Sequence, residues 1–386
     1  RDSSQYTAFR GSADLIAAVQ GITKVNLTAD ALHAGFSQAT PDAGFTALGG
    51  SLALKTDANL QAALDNLTPY VGAQSALATL GAFRADISYL EQRLETRRFD
   101  RLGLSIAPSE WFVNAMGGSL SATTSGLLDS SSTLYGFLAG YATDLGESAT
   151  HGFTLETQHM TGSTSATSAR TSGNIYSANY FFGTTLFNDK LAFDAGVGLT
   201  SFSGNATRAS VVSPGTSLTS APSAFAMGAW ARLGTVYGSK RSGNYITPFI
   251  GAEFSTTKVS GLNETGASDA LSIGSTTISE VAYRAGFGLH HMWGEDDGGW
   301  RYRLASDFGY ISQSSGNTGT FSATGTAASF PTTYSSTLNV LSGSGVYVSP
   351  SFNFGPNENS TYTIGMTYQQ GNGNATSFNI SYRKRF

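Results

Sequence analysis

The charged residues of this chain are few, and their spacing limits the chemistry open to them. Arg84, Arg93, Arg97 and Arg98 fall in one stretch with helical periodicity. Glu156, Asp194, Arg232, Arg284, Arg301, Arg303 and Asp307 sit instead on the polar parity of alternating segments further along. Guanidinium and carboxylate groups on facing elements can form charge-assisted pairs across a cavity. The expectation is a cationic helix face, Arg84 with Arg93 and Arg97, paired with Glu156, Asp194 or Asp307, while the remaining strand charges line a lumen. Catalytic chemistry has little to work with. There is no cysteine, so no thiol nucleophile, and no Gly-x-Ser-x-Gly elbow. His290 and His291 are adjacent, so on a strand they face opposite sides and cannot hold one metal together; they read as structural. Glu295, Asp296 and Asp297 read as a solvated turn. No catalytic set, metal or cofactor is expected, and a net charge of -4 offers no basic face for nucleic acid.

The elements that must position these charges are strands. Residues 377–386 place Phe378, Ile380, Tyr382 and Phe386 on one face against Asn379, Ser381, Arg383 and Arg385. This period of two is a strand signal. The same alternation recurs in Tyr362 to Tyr368, Val281 to Trp293 and Leu191 to Leu199. Several runs reach the roughly 9 to 11 residues a tilted strand needs to cross a bilayer. Twelve such segments lie between Glu110 and Phe386. Long Ser-, Thr- and Gly-rich links at 117–132, 161–173, 203–223, 255–278 and 312–337 alternate with short ones at 143–150, 188–190, 238–244, 294–299 and 355–360. Outer-membrane barrels have short periplasmic turns and longer external loops. The rhythm predicts an all-β, twelve-stranded, antiparallel up-and-down outer-membrane barrel with both ends in the periplasm; only the short external link 369–375 departs from it. Trp293, Trp300 and Tyr302 flank the turn 294–299 on the apolar parity, where an interfacial girdle belongs. Tryptophans near a turn could instead shield a soluble core.

Composition points the same way. Charged residues make up 12% of the 386 and hydrophobic ones 40%, with 46 glycines; soluble domains carry about 25% charged residues. No apolar run approaches 18 residues, so a transmembrane helix is not the anchor. Inward glycines such as Gly136, Gly140, Gly196, Gly198, Gly286 and Gly288 would leave room in the lumen or serve sheet curvature.

The first third is organised differently. In residues 75–99, Leu80, Phe83, Ile87, Leu90 and Leu94 recur at steps of three and four and make one apolar stripe. A helix of about 25 residues is near 37 Å long, enough to run the height of a barrel. It is expected in or at the lumen, the alternative being a helix packed beside the barrel or against its own domain. A second helix is read over 59–67, a short one over 14–20, and extended chain over 43–54. Arg1 follows no secretion signal, which reads as a processed or truncated product.

Trp111 to Ser119 (WFVNAMGGS) and Tyr135 to Leu145 (YGFLAGYATDL) resemble the first strands of the translocator domain of autotransporters, the type V secretion barrels. Glu253 to Leu289, with the run GLNETGASDALSIGSTTISEVAYRAGFGL, resembles the family's seventh strand, external loop and eighth strand, and SFNISYRKRF at 377–386 its last strand, ending in Phe. The resemblance covers residues 110–386 and, by position, the helix. It implies a barrel whose lumen holds a helix leading to an exported N-terminal passenger. It also implies that Phe378, Ile380, Tyr382 and Phe386 form the signal read by the barrel assembly machinery. Two departures stand out: no Asn-Asn pair marks the cleavage site of the self-cleaving subgroup, and Lys384 occupies the apolar parity.

The division expected is a passenger stub, linker or accessory region at 1–74, a helical pore segment at 75–109 and the barrel at 110–386. The function expected is a non-enzymatic translocator and anchor in the Gram-negative outer membrane. Its partners would be outer-membrane lipid and lipopolysaccharide, the assembly machinery and its own passenger. A free-standing pore or solute or polysaccharide channel with an N-terminal plug is the alternative, and a soluble β-sandwich a more distant one.

Overall fold

The computed structural model describes residues 66–67, 70–101, 108–122, 130–164, 168–187, 190–239, 243–294, 300–315, 319–325, 334–338, 343–357, 359–370 and 373–386. The short helix read over 14–20, the extended chain over 43–54, most of the helix over 59–67 and the acidic turn 295–297 lie outside them.

One long helix, α1 (Tyr70–Arg101), precedes twelve long strands. These are β1 (Ser109–Ala122), β2 (Ser130–Leu145), β3 (Ala149–Thr164), β4 (Arg170–Leu186), β5 (Leu191–Ala209) and β6 (Ser223–Thr235). They continue as β7 (Asn244–Val259), β8 (Thr276–Gly294), β9 (Arg301–Ser315), β10 (Gly343–Asn357), β11 (Ser360–Gln370) and β12 (Gly373–Arg385). Each pairs antiparallel with its sequence neighbours. The last returns to the first, from Glu110↔Arg385 to Ala122↔Gly373, and the sheet closes. Closure leaves the wall without a free edge, the condition a bilayer imposes on strands. Ser109 and Arg385 lie at the same end, as an even strand count requires.

The alternating pattern divides the wall into two faces. Phe137, Leu155, Ile250, Tyr283 and Ile380 point outward and are each about 60% exposed or more, while Leu138, Glu156, Arg284 and Ser381 point inward and are buried. Large apolar side chains exposed over a whole wall are intolerable in water and natural in lipid.

At the short-turn end the outward aromatics form a belt of closely spaced rings, stacked in part and tilted in part. Trp293 lies 5.6 Å from Tyr302, Trp300 6.3 Å from Phe354, Phe354 5.5 Å from Tyr362 and Tyr362 5.1 Å from Tyr382. Trp111 and Phe386 join it through Tyr141, at 5.0 and 6.5 Å. Lys384 stays on the outer face and donates to Ser360 Oγ at 3.2 Å.

Among the described residues, the links 203–223, 255–278 and 312–337 hold more strand than their composition predicts. β5 runs on through the small alternating residues 203–209, and 217–220 folds back to pair with its end. Strands 262–263, 271–273, 319–325 and 334–338 form a separate four-stranded sheet at the long-loop end. Arg208 fastens this region by two bonds to Glu264 (2.8 and 2.5 Å) and one to the Asp269 carbonyl (2.7 Å). Asp269 in turn accepts from Ser210 Oγ and the Val211 amide. Apolar residues that composition hid, Leu218, Leu262, Leu271 and Ile273, are buried there.

Candidate functional site

The lumen is the site, and α1 occupies it. Thirty-two residues at 1.5 Å each make a helix of about 48 Å. Its N-terminal end meets the long-loop end of the wall, where Gln74 donates to Thr164 Oγ1 at 2.7 Å. Its C-terminal end meets the short-turn end, where Asp100 contacts Arg383 at 2.6 Å and Arg385 at 2.5 Å. Leu80, Phe83, Ile87, Leu90 and Leu94, the stripe read from spacing, are all buried. Phe83, Ile87, Leu90 and Leu94 pack with Phe112, Leu138, Phe181 and Trp230 of the wall.

Two luminal glycines receive Phe83. A Cβ added to Gly228 would lie 2.4 Å from the Phe83 ring, and one added to Gly198 would lie 2.9 Å from it. The helix leans on β4 to β7. On its other side a cleft lies between Gly81, Ala85 and Ser88 and the wall residues Met116, Gln369 and Asn379.

Charge then fixes the helix at several heights. Arg84 pairs with Glu280 and approaches Glu253 at 3.7 Å. Glu91 accepts two bonds from Arg284, at 2.8 and 3.0 Å, and Arg284 also reaches Glu253 at 2.6 Å. Glu95 accepts from Thr247 at 3.1 Å and lies 3.2 Å from His290 and 3.6 Å from Arg232. Arg93 pairs with Glu110; Arg97 bridges Glu110 at 2.7 Å and Asp144 at 2.9 Å; Arg98 pairs with Asp194. Arg93 also lies 4.1 Å over the Phe112 ring, and Arg232 3.8 Å over Phe249. Formed at nine-tenths burial or close to it, such pairs hold only while each charge keeps its partner.

The pairing departs from the expected one. Asp194 does bind a helix arginine, but it is Arg98. Asp307 faces Arg232 of the wall at 3.2 Å. Glu156 meets the helix acid Asp86, which also accepts from Asn179 at 2.9 Å. Arg84, Arg93 and Arg97 turn to Glu280, Glu253, Glu110 and Asp144 because the rotation of α1 about its axis sets which wall residue each one reaches. Arg303 donates to Thr96, and Arg301 is half-buried on the same parity at the short-turn end. The helix acids Asp86, Glu91, Glu95 and Asp100 and the strand-end residues Glu110, Arg383 and Arg385 belong to the site as well. Parity would have found the strand-end three, since all sit on the polar face of their strands.

Trp293, Trp300 and Tyr302 lie in the outer aromatic belt, and Phe378, Ile380, Tyr382 and Phe386 all lie on the outer face of β12. His290 points into the lumen and His291 outward, stacked on Trp293 at 5.1 Å. Among the described residues, Glu95, His290 and Asp307 bring metal-capable donors within 4.8 Å of one another. Arg232 already touches both of those acids, so the cluster is built as an ion-pair network.

A closed barrel with an apolar outer wall, an aromatic belt and a lumen filled by a helix of its own chain is an outer-membrane β-barrel of the translocator type. The chain belongs to the autotransporter β-domain family, whose model matches residues 111–369. It is an outer-membrane translocator. The fold is similar to the translocator domain of the autotransporter NalP from Neisseria meningitidis, with a TM-score of 0.62 at 14% identity over 83% of this chain and 100% of that one. It is also similar to the β-domain of the Bordetella autotransporter BrkA, with a TM-score of 0.53 at 11% identity over 72% of this chain and 100% of that one. Comparison by sequence with curated proteins finds no match.

Proposed function

We propose that this barrel anchors and exports an N-terminal passenger, and that α1 is the trailing tether of that passenger, held in the pore as its plug. The observation that carries the reading is the direction of α1. Its N-terminal end contacts the wall beside the long loops and its C-terminal end beside the short turns. With short turns in the periplasm, chain preceding the helix leaves on the cell surface. Residues 1–74 are then the base of the passenger or a linker, residues 75–109 the pore segment and residues 110–386 the anchor.

Arg84, Arg93, Arg97 and Arg98 hold the tether, and Glu156, Asp194, Arg232, Arg284, Arg301, Arg303 and Asp307 line its path. The work is mechanical rather than catalytic. Trp293, Trp300 and Tyr302 set the depth of the barrel at the periplasmic face of the lipid, lipopolysaccharide meets the wall at the long-loop end, and the outer face of β12 ending in Phe386 serves as the signal to the assembly machinery. A peptide tag inserted before Tyr70 in the full chain tests the reading. The tag should be cut by protease added to intact cells; cleavage only after the outer membrane is permeabilised would overturn it.

A further inference from the structure

Glu110 is the first luminal residue of β1, fully buried, and stands in register with Arg385 at the end of β12. It therefore sits on the one seam of the barrel joined by residues distant in sequence. Its carboxylate is shared between two elements. Oε1 takes Arg93 of the helix, and Oε2 takes Arg97 of the helix at 2.7 Å and Arg385 of β12 at 3.2 Å, with Arg383 at 4.0 Å. Asp100 of the helix completes the circuit by binding Arg383 and Arg385.

We propose that Glu110 couples closure of the β1–β12 seam to seating of the helix, so that each event is completed by the other. The sharing of partners carries it. At this end the wall supplies Arg383 and Arg385 with Glu110 and Asp144, and the helix supplies Arg93 and Arg97 with Asp100. Without the helix, two adjacent guanidinium groups on β12 lose Asp100, and Asp144 loses Arg97. Without a closed seam, Arg93 and Arg97 face a Glu110 no longer set against β12. Buried charges separated from their partners are costly, so the favourable state is the one with both events complete. Linkage of this kind is reciprocal: whatever the closed seam contributes to helix binding, the bound helix contributes to the seam. The inference is independent of what the helix tethers, since it concerns only the barrel and α1.

Amide hydrogen exchange on the full chain in lipid nanodiscs tests it, comparing the parent with Glu110→Gln. The expected result is a loss of protection of about tenfold or more in β1, in β12 and in residues 93–101 together, with β4 and β5 unchanged. Loss confined to the helix, loss confined to the seam, or no loss would each overturn the coupling. Asp100→Asn carries the test if Glu110→Gln does not assemble, because it takes the helix carboxylate from Arg383 and Arg385 without touching β1. Reduced protection across β1 and β12 in that variant supports the proposal; unchanged seam protection refutes it.

Discussion

Arg284→Ala measures how firmly the lumen holds its plug. The guanidinium is 8% exposed and makes three close contacts, two to Glu91 of the helix and one to Glu253 of β7. Truncating it leaves both carboxylates buried and short of a partner, a loss that costs about 3 to 5 kcal/mol. Arg232 lies 4.0 Å from Glu91 and compensates in part, which sets the expectation near the lower figure. Glu91 belongs to the helix, so the loss falls on the docked state and is relieved when the helix leaves the wall. At 1.4 kcal/mol per tenfold change, about 3 kcal/mol raises the undocked population roughly a hundredfold. Single-channel recording in planar bilayers reads this as open time, with the folded barrel confirmed by heat-modifiable electrophoresis. Adding Glu91→Gln to the same chain removes the stranded charge on the helix and should return open time to within about tenfold of the parent. An Arg284→Ala barrel whose open time stays within twofold of the parent, or a double variant that opens as often as the single one, would refute the reasoning.

Three further expectations concern other parts of the molecule. Gly228→Ala sets a methyl against the Phe83 ring and should weaken helix docking by about 1 to 3 kcal/mol, seen as faster tryptic cleavage at Arg93, Arg97 and Arg98, with Phe83→Ala restoring resistance in part; an unchanged cleavage rate would argue against a tight socket. Arg208→Ala should open the external sheet to protease within 260–275 on intact cells while the barrel keeps its melting temperature, because the groups it strands lie outside the membrane wall; continued resistance would show that the cap stands without Arg208. Deleting Phe386 removes a ring 58% exposed beside Tyr141 together with an amide bonded to Ser109 O at 3.0 Å. It should lower the amount of folded barrel in the outer membrane, and normal assembly would contradict the role given to it.

The barrel was legible because lipid and lumen enforce the period of two so strictly. Runs such as Val281 to Trp293 carry their inside and outside in the order of their letters. Loop limits were less so: residues 203–209 continue β5 with small polar residues that look like loop, because a strand beyond the bilayer no longer needs an apolar face. The external sheet escaped notice for a related reason, since a few scattered residues such as Leu262 and Ile273 build it from contacts between separate loops. The lumen was half legible. Parity shows which side of the wall a charge faces, and helical spacing shows which residues share a stripe. Neither fixes the rotation and height of α1 against the strands, and those alone decide that Asp194 meets Arg98 and that Glu156 meets Asp86.

The charged contacts of α1 are spread over about 24 Å of its length between Arg84 and Asp100, with the Phe83 socket beside the first of them. Displacing the helix by one turn, about 5.4 Å, would bring each of these side chains opposite the wrong wall residue and set Phe83 against a side chain in place of Gly228. No intermediate setting satisfies some contacts while sparing the rest. The pore is thus a lock with a single setting: once this segment lies in it, the contacts from Phe83 to Asp100 all favour the same position.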